Sequence, residues 1–282
     1  MKEEGKEEKI DVSVVAQRPQ IKLGKATHLP AMVKVKTTGG ARTSSTDIIC
    51  VIDVSGSMSG EKMELVKKTM MMLIESLSPS DRLSILTFEN VGSRITPLKP
   101  LKKENIEYFR NHVNQLTPRG GTCIIEGMEL AFKTIRDRKI ANQATSIFLL
   151  SDGQNNCGSE RAEESVKKAL ARPENTDLGV FSIHTFGFGY GHDEDLMNNI
   201  ALQKDGAFYY IKDLETLDVT FVNAISGIIS MISSEMYIHV KTIASDKFSG
   251  FNIEKVYGGM WEKLEKNEYK IRVIQLMTEV QK

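Results

Sequence analysis

Residues 48–232 alternate short apolar runs with longer amphipathic stretches, and that order leaves few folds open. The runs at 48–52 and 145–150 are almost unbroken in Ile, Val, Leu and Phe. A strand covered by helices on both faces has that composition. Further strands are predicted at 83–88, 178–186 and 207–211, with a short one at 94–98 pairing as a hairpin with 83–88. Helices are predicted over 60–77, 103–116, 123–136, 160–171, 193–203 and 214–232. In the first, Met63, Val66, Met70, Leu73, Ile74 and Leu77 share one face, with Lys62, Lys67 and Lys68 off it. In the last, Leu217, Phe221, Ala224, Ile225, Ile228 and Ile232 point inward. Strands alternating with helices this long predict an α/β fold: a doubly wound, mostly parallel, Rossmann-like sheet over 46–234.

On either side the pattern becomes β-like. Residues 1–9 are a charged tail expected to be disordered, and 37–46 read as a linker. Asp11-Val-Ser-Val-Val15 and Ala31-Met-Val-Lys-Val-Lys36 are strand-like, as are 236–241, 250–257 and 268–274, with Gly258-Gly259 as a turn. Segments 10–45 and 235–282 are expected to pair with each other in a small flanking β subdomain.

Charge and cysteine usage narrow the classes of function. The chain of 282 residues has 37 basic and 37 acidic side chains, so its formal net charge is zero. That argues against a general nucleic-acid surface. The charged start has no apolar signal region, and no stretch is long enough to span a bilayer. Three cysteines, an odd number, do not make a disulfide framework, which predicts a reducing, cytoplasmic setting.

Chemistry concentrates where the first buried run ends. Asp53-Val-Ser55-Gly-Ser57 sets three oxygen-bearing side chains on alternate residues, with Gly56 allowing a tight turn. Carboxylate and hydroxyl are hard donors, suited to Mg²⁺, Mn²⁺ or Ca²⁺. Two distant residues join them: Thr122, after Gly120-Gly121, and Asp152, at the end of the run Ser146-Ile-Phe-Leu-Leu150. In an open parallel sheet the ligand crevice lies at the carboxyl ends of the strands, where Asp53 and Asp152 both fall.

These residues resemble the von Willebrand factor type A family, whose metal-ion-dependent adhesion site (MIDAS) reads Asp-x-Ser-x-Ser, then a distal Thr, then a distal Asp. Asp53, Ser55, Ser57, Thr122 and Asp152 match in residue type and order. The resemblance implies that Ser55, Ser57 and Thr122 touch the ion directly while Asp53 and Asp152 act largely through water. It also implies a vacant coordination position that takes a Glu or Asp side chain from a protein partner. The expected function is therefore a non-enzymatic, metal-dependent protein-binding module. The flanking strands loosely resemble intracellular members with extra strands around the domain.

Blander readings of the same residues compete with this one. Ser57 or Ser59 could simply cap the helix that follows. Carboxylates with a hard cation also serve phosphoryl chemistry, but a hydrolase or phosphotransferase reading lacks a second Asp two residues after Asp53 and a phosphate-cradling loop with Lys. A scaffold with a vestigial ion site is the remaining alternative. Gly187-Phe-Gly189-Tyr-Gly191 is read as a flexible loop at the site's rim, and 192–195 as an acidic helix start. Cys123 and Cys157 are expected near the site as free thiols, Cys50 in the core, and His184 as a satisfied core residue.

Overall fold

The computed structural model describes residues 9–18, 20, 28–38, 45–229, 231–233, 236–243, 252–259, 261–273 and 276–277. Most of the expected tail lies outside that set. Strands β1 (Lys9–Ala16) and β2 (Ala31–Thr38) form an antiparallel pair. The core opens with β3 (Thr46–Asp53), followed by a 3-10 turn (Gly56–Met58) and α1 (Glu61–Ser76). Next come β4 (Arg82–Phe88), β5 (Gly92–Arg94), β6 (Lys99–Pro100), α2 (Lys103–Asn114) and α3 (Ile124–Arg136). Then follow β7 (Ala144–Ser151), α4 (Ala162–Leu170), β8 (Ser182–Phe188), α5 (Glu194–Leu202), β9 (Phe208–Ile211) and α6 (Leu214–Ile229). The described chain ends with β10 (Met231–Ser233), β11 (Met236–Lys241), β12 (Glu262–Glu265), β13 (Glu268–Val273) and β14 (Leu276–Met277).

The main sheet runs β5-β4-β3-β7-β8-β9, with β6 also paired to β4. Strands β4, β3, β7, β8 and β9 are parallel, and only the short β5 and β6 run antiparallel. From β3 the chain goes to β4 on one side and returns to β7 on the other. The doubly wound, mostly parallel sheet is as expected, and its topological switch lies at the end of β3.

Alternation along each strand divides the core into two layers. Ile48, Cys50, Ile52, Phe148 and Leu150 face α1, α2 and α6, meeting Leu65, Phe109 and Phe221. Ile49, Val51, Ile147 and Leu149 face α3, α4 and α5, meeting Met128, Val166 and Met197. Each fully buried side chain of this size contributes about 1.5–3 kcal/mol. In α3, a Cβ on Gly127 would lie 2.6 Å from Val51 Cγ1 and 2.7 Å from Phe88 Cδ1, so the missing side chain lets the helix approach β3 and β4.

Several expectations change. The helix predicted to 232 ends at Ile229, and Met231–Ser233 joins a strand pair with β14. The strand expected from 178 starts at Ser182. Residues 252–257 are not a strand, while residues 250 and 251 lie outside the described set. Instead the charged segment Glu262–Glu265 pairs with β13, because Asn267 adopts φ 64 and closes a hairpin. The amino- and carboxy-terminal strands do not share a sheet among the described residues: β1-β2, β10-β14 and β11-β13-β12 are separate. His28 Nδ1 does lie 2.6 Å from Glu254 Oε2, linking the two flanks by one exposed contact.

Candidate metal site at the carboxyl edge of the sheet

Register sets the two carboxylates side by side. Ile52 pairs with Leu150, so Asp53 leaves β3 beside Ser151 and Asp152 follows directly. The Ser151 hydroxyl donates to Asp53 Oδ2 at 2.6 Å and accepts from the Gly153 amide at 2.9 Å. Asp53 Oδ1 accepts from the Ser55 amide at 2.8 Å, which folds the chain back on itself. Buried Met58 anchors the 3-10 turn, leaving Ser57 exposed with its hydroxyl 3.0 Å from that of Ser55.

The Thr122 loop is stitched to this turn by backbone. The Gly56 amide donates to Gly120 O at 3.1 Å and the Arg119 amide to Val54 O at 2.6 Å. Thr122 is tied in turn to the loop after β7. Its amide donates to Asn156 Oδ1 at 2.8 Å, and its carbonyl accepts from the Asn156 amide at 2.9 Å. Asn155 Oδ1 accepts from the Ile124 amide at 3.0 Å, covering the first turn of α3. Cys123 and Cys157 are joined in a disulfide across the same two loops. The expected free thiols are therefore corrected: folding brings their Cα atoms to 5.1 Å, within bonding reach. Only Cys50 remains free, buried in β3 as expected. The premise for a reducing compartment goes with that correction.

Asp53, Ser55, Thr122 and Asp152 are all buried, with Asp53 and Asp152 at 0 % exposure. Burial pushes the Asp53 carboxyl up to about 6, against bonds from Ser151 and Ser55 that pull it down, while Asp152 nearby adds to the rise. Asp152 Oδ1 accepts from the Gln154 amide at 3.2 Å, and its Oδ2 takes the Lys62 ammonium at 2.7 Å. Lys62, read as lying off the apolar face of its helix, turns its charge toward Asp152.

The donor set fits a hard dication: two carboxylates and three hydroxyls, all oxygen, with a cationic group already seated on one carboxylate. Among the described residues no three His, Cys, Asp or Glu side chains gather into a group that could hold a metal ion. No spacing rule in the sequence marks Ser151, Asn155, Asn156 or Lys62, which reach the candidate ligands only through the fold. The rim reading of the glycine loop agrees with the geometry, because Gly189 lies against the Lys62 stem. His184 is a satisfied core residue: its Nδ1 accepts from the Ala207 amide at 3.3 Å, its Nε2 meets Ser182 Oγ at 3.0 Å, and burial lowers it to about 4. Among the described residues no helix is long and apolar enough to cross a membrane.

Comparison with known proteins agrees with the architecture. The chain is 30% identical over 168 residues to inter-alpha-trypsin inhibitor heavy chain H3 of Bos taurus, covering 56% of this chain and 18% of that one. It is 30% identical over 164 residues to E3 ubiquitin-protein ligase WAVH1 of Arabidopsis thaliana, covering 51% and 24%. The chain spans less than half the length of such curated relatives. Among solved structures, a von Willebrand factor type A protein from Catenulispora acidiphila shares the fold with a TM-score of 0.68, over 99% of this chain and 65% of that chain at 15% identity. Proximal thread matrix protein 1 from the mussel byssus, solved with a zinc-occupied MIDAS motif, has a TM-score of 0.52 at 21% identity, over 64% of this chain and 45% of that one. A family model for the von Willebrand factor type A domain matches residues 46–210, more than half of the sequence, and the chain belongs to that family.

Proposed function

We propose that this chain is a divalent-metal-dependent protein-binding module. Asp53, Ser55, Ser57, Thr122 and Asp152 would hold Mg²⁺, Mn²⁺ or Ca²⁺, with one position left for a Glu or Asp side chain of a protein partner. The observation that carries this reading is the lacing of three chain segments at one sheet edge, through Gly56–Gly120, Ser151–Asp53 and Asn156–Thr122. When bound, the ion supplies an electrophilic position for an anionic oxygen. The hydroxyls neutralise little of its charge, and exposed Ser57 marks the side open to a partner. A depression of about 330 Å³ in the loop that follows Asp152, lined by Gln154, Asn155, Glu160 and Asp193 among others, offers room for the partner's neighbouring residues.

This role is one of binding and requires no nucleophile. We further propose that the flanks form one small β subdomain, 10–45 with 235–282. The His28–Glu254 contact between the two flanks supports it, their strands lying in separate small sheets. The test is calorimetric titration of Mg²⁺ and Mn²⁺ into wild type and Asp53→Ala, paired with capture of an acidic peptide with and without EDTA. Binding lost in the variant and in EDTA is the expected result. Peptide capture that survives both changes would refute the metal-bridged mechanism.

A further inference from the structure

We propose that the Lys62 ammonium is a tethered cation within this site, one that an incoming dication must displace from Asp152, so that metal and acidic ligand bind best together. The inference rests on the metal-bridged reading above and deepens it.

The Lys62–Asp152 pair is not an ordinary surface ion pair. Asp152 has 0 % of its side chain exposed and Lys62 only 19 %. The ammonium lies 2.7 Å from Asp152 Oδ2, the carboxylate oxygen not bonded to the Gln154 amide. The lysine stem is held on its route. It crosses Gly189, whose φ is +70, and a Cβ there would lie 3.1 Å from Lys62 Cε and 3.2 Å from Cγ. The absence of a side chain at Gly189 leaves the channel along which Lys62 reaches from α1 to the loop after β7.

Charge then sets the consequence. Asp53 and Asp152 together carry two negative charges when ionised, and Lys62 cancels one. A dication arriving with Lys62 still nearby leaves the cluster with an excess of one positive charge. A carboxylate from a partner removes that excess. Without Lys62 the two aspartates alone would balance the ion, and an added carboxylate would be in surplus. Like charges a few ångströms apart in a partly buried site repel substantially, so Lys62 weakens the binary metal complex and favours the ternary one.

The experiment is Mn²⁺ titration by calorimetry on the full chain, comparing wild type, Lys62→Met and Lys62→Arg, each repeated in acetate as a stand-in carboxylate. Lys62→Met is expected to bind Mn²⁺ at least about tenfold more tightly, or about 1.4 kcal/mol, with Lys62→Arg close to wild type. Acetate should tighten Mn²⁺ binding to wild type more than to Lys62→Met. In chelator, Lys62→Met should melt below wild type because Asp152 loses its cation, and saturating Mn²⁺ should reverse that order. A purely structural lysine would lower the melt in both conditions and leave the affinity unmoved, which overturns the inference while the metal site stands. Equal or weaker Mn²⁺ binding by a folded Lys62→Met does the same. Should that variant not fold, Lys62→Gln takes its place with the same expectations. No Mn²⁺ binding by any form would overturn the metal-bridged reading and this inference with it.

Discussion

Asp53 and Asp47, at opposite ends of one strand, are both fully buried, yet their surroundings differ. Asp53 is raised to about 6, chiefly by burial. In ion-free protein its contribution to stability is therefore complete below the ordinary value of 3.8 and is lost as pH climbs through about 6. Asp53→Asn should then stabilise the protein at pH 8 in chelator, by up to about 3 kcal/mol, while abolishing any gain from Mn²⁺. Urea titrations check both points, and a variant less stable than wild type in chelator would refute the first. Because a cation needs the ionised carboxylate, Mn²⁺ affinity should also fall as pH drops below about 6. Asp47 is instead held among cations: Arg82 grips it through Nε and Nη2 at 2.7 and 2.6 Å, Arg138 adds a bond at 3.1 Å, and the Asn142 amide one at 3.2 Å. Asp47→Ala leaves two guanidinium groups facing a vacated pocket and should cost about 3–5 kcal/mol. Mn²⁺ affinity, read by calorimetry on the folded fraction, should not change, since the proposed ion site lies at the other end of β3.

The start of α3 and the loop after β7 act as one clamp. Cys123 directly follows Thr122, and Cys157 shares its loop with Asp152, so the disulfide ties two proposed ligand segments together. Closing a loop of 34 residues in the unfolded chain is worth about 3–4 kcal/mol by the chain-entropy model. Cys123→Ser with Cys157→Ser should lower stability by roughly that amount. The same double variant, or wild type treated with a phosphine reductant, should bind Mn²⁺ several-fold more weakly because Thr122 is no longer held in place. An unchanged affinity after full reduction, verified by thiol titration, would show that Asn155 and Asn156 hold the clamp without help. Gly127 matters at the same level: its close contact with Val51 and Phe88 sets how deeply α3 sits on the sheet, and so where Thr122 lies.

For the molecule as a whole, both hydrophobic layers are built from residues between Ile48 and Ile228. The flanking sheets add strands but no member of either layer among the described residues. A fragment of residues 45–233 is therefore expected to unfold cooperatively and to bind Mn²⁺ with the affinity of the full chain. Circular dichroism melts and calorimetry decide this, and a fragment that fails to fold would place part of the core's support in the flanks.

Periodicity made the layered fold legible. Runs such as 48–52 have no polar face, so only a sheet with helices on both sides accommodates them, and the amphipathic helices supply those sides. The five proposed ligands were legible too, because residue type and order along the chain survive without coordinates. Hidden from that reading were features created by long-range approach. The Cys123–Cys157 bond, the inward turn of Lys62 and the grip of Arg82 and Arg138 on Asp47 all join segments far apart in sequence. Local pattern carries the period of an element and the face it buries. Which charges and thiols then meet depends on how strands and loops stack in space, and that was settled only when the sheet closed around its switch point.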